Sequence, residues 1–238
     1  MLIYDSHCHL TAIGTDPRQF KIALPAITLA DGPDLLNYRL QNPSAKIGCG
    51  VHPWQVNEIN DLTALKTSLI QQINQLSPDF IGETGLDALK PNLALQLEVF
   101  KIHLELAAQF QLPIIIHCVR AYNQLLSILA RFPGIRGVVH AFNGNRQLAQ
   151  QLRQKNMYLG VGSIILNPTS QLAKSAAELP FEQLLLESDA PYMPALGKAL
   201  SSSDNCLIYA QRLAQIRQIS LMTVIRQAND NWQLLFGS

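Results

Sequence analysis

The chain has 238 residues, a length that suits one barrel-sized domain better than two small ones. Hydrophobic residues make up 48% and charged residues 15% of the chain, which excludes a disordered protein and allows a large buried core. Lys and Arg number 18 against 17 Asp and Glu, and the resulting formal net charge of +1 excludes the strongly basic character of a protein that coats duplex nucleic acid.

The N-terminal segment and the cysteines bear on the cellular compartment. The first ten residues, MLIYDSHCHL, contain neither a basic region nor a long apolar run, so no signal peptide is predicted. No run of 18 apolar residues occurs, so no membrane span is predicted. Cys8, Cys49, Cys118 and Cys206 lack CxxC spacing, which favours reduced and mostly buried thiols. We expect a cytoplasmic protein without membrane association.

Short apolar runs alternate with helical stretches along almost the whole chain. Eight runs are predicted as strands, at 2–9, 21–29, 46–52, 80–86, 112–118, 137–142, 157–162 and 184–189. Helices are predicted between them at 61–75, 92–111, 121–131, 146–154 and 169–178, where apolar residues recur at three- and four-residue spacing. This alternation predicts a parallel sheet, and eight such units predict a (β/α)8 barrel.

Two features distort the predicted barrel. Only 12 residues separate His9 from Ile22, and Gly14, Thr15 and Pro17 lie among them, so the first crossover has no room for a full helix. Two further helices, at 204–218 and 220–236, follow the last strand and are expected to pack outside the barrel. The predicted fold is therefore a distorted (β/α)8 TIM barrel with a shortened first crossover and extra C-terminal helices, a single domain over 1–238.

Histidine and carboxylate side chains stand at the ends of five predicted strands. They are His7, His9, Glu83, His117, His140 and Asp189. The carboxyl ends of barrel strands are where active sites of this fold lie. Imidazole and carboxylate groups are good ligands for Zn, Mn or Mg. Singly, each residue could be a hydrogen-bonded core residue, but the set predicts a divalent-metal site.

Several neighbouring polar residues are interpreted as structural. Asp5 has the same strand parity as His7 and His9, and we interpret it as a residue that orients a ligand histidine. Glu187 lies deeper than Asp189 and is expected to be a buried hydrogen-bond partner. His103 lies in the middle of a predicted helix, where a packing or surface role is expected.

Six motifs make the sequence resemble a known family. They occur in this order: DSHCHL, GVHPW, GETGLD, LPIIIHCVRAY, HAFNGN and LLLESDAPYMP. Together they resemble the TatD family of metal-dependent deoxyribonucleases, a branch of the amidohydrolase superfamily, from about residue 2 to residue 194. The resemblance implies a barrel hydrolase with two divalent metal ions. It also implies that His7, His9 and Asp189 hold the first metal and that His117 and His140 hold the second.

The resemblance further implies that Glu83 bridges the two metals. Two divalent ions carry four positive charges, and the carboxylates of Glu83 and Asp189 neutralise two of them. A bridging hydroxide leaves one, which favours an anionic substrate such as a phosphodiester. In this mechanism the metals activate a water molecule and Asp189 accepts its proton.

The remaining site residues are assigned by the same mechanism. His52 is the candidate proton donor for the leaving alkoxide, Arg120 the candidate phosphate clamp, and Trp54 the candidate platform for a terminal base. Lys198, after the last strand, is a candidate basic contact to substrate. Structural anchoring remains an alternative for His52 and Arg120, and packing at the rim remains one for Trp54.

Three functions remain open from the sequence. The first is a nuclease that acts on single-stranded or nicked DNA ends, since a near-neutral chain suits a short substrate footprint. The second is a small-molecule amidohydrolase that cleaves ester, lactone or amide bonds with the same metal site. The third, an inactive binding module, is disfavoured by the complete ligand set. No obligate protein partner is predicted.

Overall fold

The computed structural model describes residues 2–9, 20–195 and 199–237. The predicted shortened crossover and Lys198 therefore lie outside the described residues. The chain divides into two compact units. We call Met1–Leu24 together with Val139–Ser238 the terminal unit, and Pro25–Val138 the central unit. The prediction of a single domain over 1–238 stays a prediction.

Eight parallel strands follow one another in chain order. They are β1 (Ile3–Asp5), β2 (Phe20–Leu24), β3 (Lys46–Cys49), β4 (Phe80–Asp87), β5 (Ile114–Val119), β6 (Gly137–Val139), β7 (Met157–Val161) and β8 (Leu184–Leu186). The helices are α1 (Gly32–Gln41), α2 (Leu62–Leu76), α3 (Leu93–Phe110), α4 (Tyr122–Leu129), α5 (Arg146–Arg153), α6 (Gln171–Ser175), α7 (Asn205–Arg217) and α8 (Leu221–Phe236). The fold class is the predicted (β/α)8 TIM barrel.

Helix α1 is the element that the sequence pattern did not predict. Its ten residues, GPDLLNYRLQ, bury only Gly32 and Leu35, so they lack the apolar stripe on which a periodicity argument depends. Pro33 stands in its first turn, where proline is tolerated because the N–H of that position has no partner within the helix.

In the terminal unit, α8 packs against β1 and β8. The fully buried Trp232 contacts the ring of Tyr4 edge-on, with 5.0 Å between ring centroids. Asn231 donates from Nδ2 to the carbonyl oxygen of Leu184 at 2.7 Å, and Asn229 accepts the N–H of Tyr4 at 3.1 Å. The predicted C-terminal helices thus pack against strands and fix β1 beside β8.

In the central unit, β4 is buried along its whole length between β3 and β5. Gly85 of β4 lies opposite His117 of β5 and has a φ of +143°. A Cβ atom at Gly85 would overlap the carbonyl oxygen of His117, so only glycine permits this close approach. The approach brings the ends of β4 and β5 together, and with them Glu83 and His117.

None of the helices in the described part of the chain is both long and apolar enough to cross a membrane. All four cysteines are free thiols and buried, as predicted. Burial raises the pKa of Cys118 and of Cys49 to about 12, so both remain protonated near neutral pH.

Candidate metal centres

The first group of candidate ligands lies in the terminal unit, just beyond β1 and β8. The N–H of Asp189 donates to the carbonyl oxygen of His7 at 2.8 Å, and the N–H of His9 donates to that of Ala190 at 2.7 Å. These backbone bonds hold the His7–His9 segment alongside Asp189. Oδ1 of Asp189 lies 3.5 Å from Nε2 of His7 and 3.3 Å from Nε2 of His9.

His140, which follows β6, joins this group. Its ring stacks on that of His7 with 4.2 Å between centroids, and His7, His140 and Asp189 offer ligand atoms that all lie within 4.8 Å of one another. We call His7, His9, His140 and Asp189 the first ligand group. The sequence assigned His140 to a metal shared with His117, and that pairing stays a prediction.

Asp5 lies beneath the first ligand group and is completely buried. Its Oδ1 accepts the N–H groups of His7 (3.2 Å) and Ser188 (2.9 Å), and its Oδ2 accepts the hydroxyls of Ser188 (2.6 Å) and Ser203 (2.7 Å). Burial raises the pKa of Asp5 above its ordinary value, although the serine hydrogen bonds act in the opposite direction. Asp5 thus fixes the residues that precede Asp189 against those that carry His7, and its interpretation as a residue that orients a ligand histidine stays a prediction.

Glu187 is a second buried carboxyl group in the terminal unit. Its Oε1 accepts the N–H of Ala141 at 2.6 Å and lies 4.0 Å from Nδ1 of His140. Burial is the main cause that raises its pKa to about 8. The interpretation of Glu187 as a buried hydrogen-bond partner is confirmed.

The second ligand group lies in the central unit and consists of His52, Glu83 and His117. Oε1 of Glu83 lies 3.1 Å from Nδ1 of His117 and 3.4 Å from Nε2 of His52, and these two ring nitrogens are 3.3 Å apart. All three side chains are buried. Backbone bonds to Ala26 and Ile27 hold Glu83 and His52 at this position.

One hydrogen bond of His52 indicates which of its ring nitrogens carries the proton. Its Nδ1 accepts the backbone N–H of Trp54 at 3.1 Å, so a neutral ring carries its proton on Nε2. That N–H then points towards Glu83. The predicted role of His52 as a proton donor stays a prediction.

Two of the predicted substrate residues, Trp54 and Arg120, are exposed. Trp54 is 52% exposed, and its ring contacts those of His52 and His117 edge-on. Lys90 places its ammonium group 4.3 Å from the centroid of the indole. Arg120 is exposed directly after β5, with a φ of +52°. Their predicted contacts with substrate stay predictions.

His103 has a structural role that the sequence pattern did not specify. It is completely buried in α3, where Nε2 accepts the N–H of Val51 at 3.1 Å and Nδ1 donates to the carbonyl oxygen of Val99 at 2.8 Å. Burial lowers its pKa to about 4. His103 therefore stays neutral and holds the segment that carries His52, in agreement with the packing role that was expected.

The donor chemistry of both ligand groups fits a divalent metal. Imidazole nitrogens and carboxylate oxygens lie within 4.8 Å of one another in the second ligand group and among His7, His140 and Asp189 of the first, and such mixed donors suit zinc and manganese. The donors lie within β4 and β5 or in the segments that follow β1, β3, β6 and β8, and active sites of this fold lie at the carboxyl ends of the strands. Comparison with known proteins gives the class of the protein, a metal-dependent hydrolase.

The chain belongs to the TatD related DNase family, whose model matches residues 4–237. It is 32% identical over 188 residues to an uncharacterized metal-dependent hydrolase of Haemophilus influenzae, covering 74% of this chain and 71% of that one. The uncharacterized metal-dependent hydrolase YcfH of Escherichia coli K12 is 25% identical over 261 residues, and the match covers 99% of this chain and 96% of YcfH. The crystal structure of YJJV, a TatD homolog from Escherichia coli K12, superposes with a TM-score of 0.88 at 26% identity over 99% of this chain and 98% of that one.

Proposed function

We propose that this metal-dependent hydrolase is a deoxyribonuclease that cleaves phosphodiester bonds at single-stranded or nicked DNA ends. The observation that carries the proposal is the composition of the two ligand groups, five histidines with only two carboxylates. Such a donor set leaves bound divalent cations with excess positive charge, which favours an anionic substrate. The description of the family as DNase supports the same substrate class.

Two divalent ions, Mg, Mn or Zn, are proposed as cofactors. His7, His9, His140, Asp189, Glu83 and His117 would hold them, with Glu83 shared between the two. The chemistry that divalent metals supply in such a centre is the polarisation of a phosphoryl oxygen and the activation of water near neutral pH.

Asp189 is proposed as the base that accepts the proton of the attacking water. Its backbone N–H donates to the carbonyl oxygen of His7, which holds residue 189 beside the His7–His9 segment. A φ of +51° turns its backbone away from the line of the strand. Aspartate tolerates this left-handed conformation better than most residues.

His52 and the exposed residues of the central unit are proposed to serve the leaving group and the DNA chain. His52 is proposed as the group that protonates the leaving alkoxide, and its Nε2 lies 3.4 Å from Oε1 of Glu83. Trp54 would stack an unpaired base, and Arg120 would bind a phosphate in a bidentate manner. Lys198 is retained as a proposed basic contact. We also retain the expectations of a cytoplasmic location and of no obligate protein or membrane partner.

The test is cleavage of labelled single-stranded DNA by protein loaded with Mg, Mn or Zn. The substitution Asp189→Asn keeps the size of the side chain but removes the base, and it should lower the rate by about 10²–10⁴-fold. Asp230→Asn, at an exposed position of α8, serves as the matched control and should cleave like the parent.

Arg120→Ala should raise KM for DNA but leave KM for a nitrophenyl phosphodiester unchanged. Arg136→Ala, at an exposed position just before β6, should change neither value.

A panel of uncharged esters, lactones and amides separates the nuclease from the small-molecule amidohydrolase. Metal-dependent turnover of one of these compounds, with no DNA cleavage under any of the three metals, would overturn the nuclease proposal and favour the alternative.

A further inference from the structure

Asp87, the last residue of β4, is a buried carboxylate with three neighbours. Its Oδ1 accepts the N–H of Leu89 at 2.9 Å. Its Oδ2 accepts the indole N–H of Trp54 at 2.7 Å and lies 3.5 Å from Nε2 of His117. Gln96 accepts the backbone N–H of Asp87 at 2.7 Å and donates to its carbonyl oxygen at 3.1 Å, so the backbone at Asp87 is held on both sides.

The ring of His117 consequently lies between two carboxylates. Nδ1 faces Glu83 and Nε2 faces Asp87. A neutral imidazole carries one N–H, and the partner of that N–H decides which nitrogen keeps a lone pair for a metal. Glu83 and His52 lie together on the Nδ1 side, so a metal held by the second ligand group would bind there.

Asp87 is suited to hold the proton side of the ring. Its Oδ2 accepts the indole N–H of Trp54 and its Oδ1 accepts the N–H of Leu89, so both carboxylate oxygens are held in place beside the ring. A carboxylate that accepts the second N–H of a ligand histidine fixes both the tautomer and the ring orientation.

We propose that Asp87 is a positioning residue of the second ligand group. It keeps the proton of His117 on Nε2 and leaves Nδ1 directed towards Glu83 and His52. Through the same oxygen atom it anchors Trp54, so the exposed indole is set against the ring of His117, with 6.2 Å between their centroids. The inference rests on the proposed function only in that a metal binds at Nδ1 of His117.

The first experiment measures metal affinity in the absence of DNA. Zn or Mn is titrated against a chromophoric chelator, with the parent and with Asp87→Asn. The asparagine has one acceptor oxygen where the aspartate has two, and it should weaken one binding step by about 10–100-fold. Asp79→Asn is the matched control. Asp79 directly precedes β4, the strand that ends at Asp87, but its carboxylate pairs with Arg39 (3.5 Å) and Lys46 (3.3 Å). It should bind metal like the parent.

Trp54→Phe separates the two contacts of Asp87. Phenylalanine lacks the indole N–H but leaves the contact between Asp87 and His117 intact. We expect parent-like metal affinity and a raised KM for DNA. A metal affinity lowered as much as in Asp87→Asn would show that Asp87 acts through the indole and would overturn the proposal.

The second experiment needs no substitution at Asp87 and remains valid if that variant does not fold. NMR of the Zn-loaded parent with ¹⁵N-labelled histidine reports which nitrogen carries the proton, and the resonance that disappears in His117→Gln identifies His117. We expect the proton on Nε2. A proton on Nδ1, or an unchanged metal affinity in folded Asp87→Asn, would refute the positioning role. The metal titrations and the NMR measurement omit DNA, so their outcome does not depend on the nuclease proposal.

Discussion

Two buried carboxyl groups in the terminal unit differ in the number of hydrogen bonds that they accept. Asp5 accepts four hydrogen bonds from His7, Ser188 and Ser203 and joins separate segments of the chain. Glu187 accepts the N–H of Ala141 and has a pKa raised to about 8 by burial. Asp189 differs from both, because its Oδ1 lies within 3.5 Å of Nε2 of His7 and of His9.

The buried His103 predicts a loss of stability in mild acid. Its pKa falls from 6.5 to about 4 on folding, so between these pH values the unfolded chain binds a proton that the folded protein does not. The free energy of unfolding should therefore fall as pH falls from 6.5 to 4, by at most about 3 kcal/mol from this residue. Urea denaturation at several pH values measures it.

His103→Gln provides the comparison for this prediction. Glutamine cannot take up a proton, so the variant lacks this part of the pH dependence. The stability difference between parent and variant should be largest near pH 7.5 and should shrink towards pH 4.5. A difference that stays constant over this range would contradict the prediction.

At the scale of single elements, β7 shows how a glycine makes room for a buried carboxyl group. A Cβ atom at Gly160 would overlap the carboxylate of Glu187, which has no free space to move into because it is buried. Gly160→Ala should therefore lower the free energy of unfolding by about 1–3 kcal/mol. Denaturation in urea gives this value directly.

Gly134→Ala is the matched control for Gly160. A Cβ atom at Gly134 meets no atom within 4 Å, and the change should leave stability unaltered or slightly raised. Equal stability of the two alanine variants would contradict the proposed crowding at Glu187.

The elements also show how far the sequence pattern could predict the fold and the site. The eight strands and their order followed from apolar runs, because parallel strands buried on both faces need such runs. Helix α1 was missed because it buries few side chains. The six ligand candidates followed from their places at strand ends. The acceptor role of Nδ1 of His52 and the partners of Asp5 could not be predicted, because they depend on the orientation of side chains from distant segments.

For the whole molecule, metal binding should be linked to thermal stability. A metal at about 100 times its dissociation constant stabilises the folded state by about 2.7 kcal/mol. For a chain of this length that corresponds to a rise of roughly 5–11 °C in Tm. Scanning calorimetry of chelated protein, before and after addition of Mn or Zn, measures the shift.

A ligand variant completes this experiment. His7→Gln removes one donor of the first ligand group and should reduce the metal-induced rise in Tm, whereas Asp230→Asn should keep it. An absence of any shift with Mg, Mn and Zn would contradict a divalent-metal centre in this protein.

The hydrogen bonds of Asp5 have a consequence for protein synthesis. Asp5 and its partners Ser188 and Ser203 are separated by 183 and 198 residues along the chain. At a translation rate of about 5–20 residues per second, the ribosome makes Asp5 roughly 10–40 s before those serines. The nascent chain therefore carries His7 and His9 long before the segment that orients them exists. Capture of metal by the first ligand group should be one of the last events in the maturation of the enzyme, and a ribosome-bound chain that ends before residue 188 should be inert.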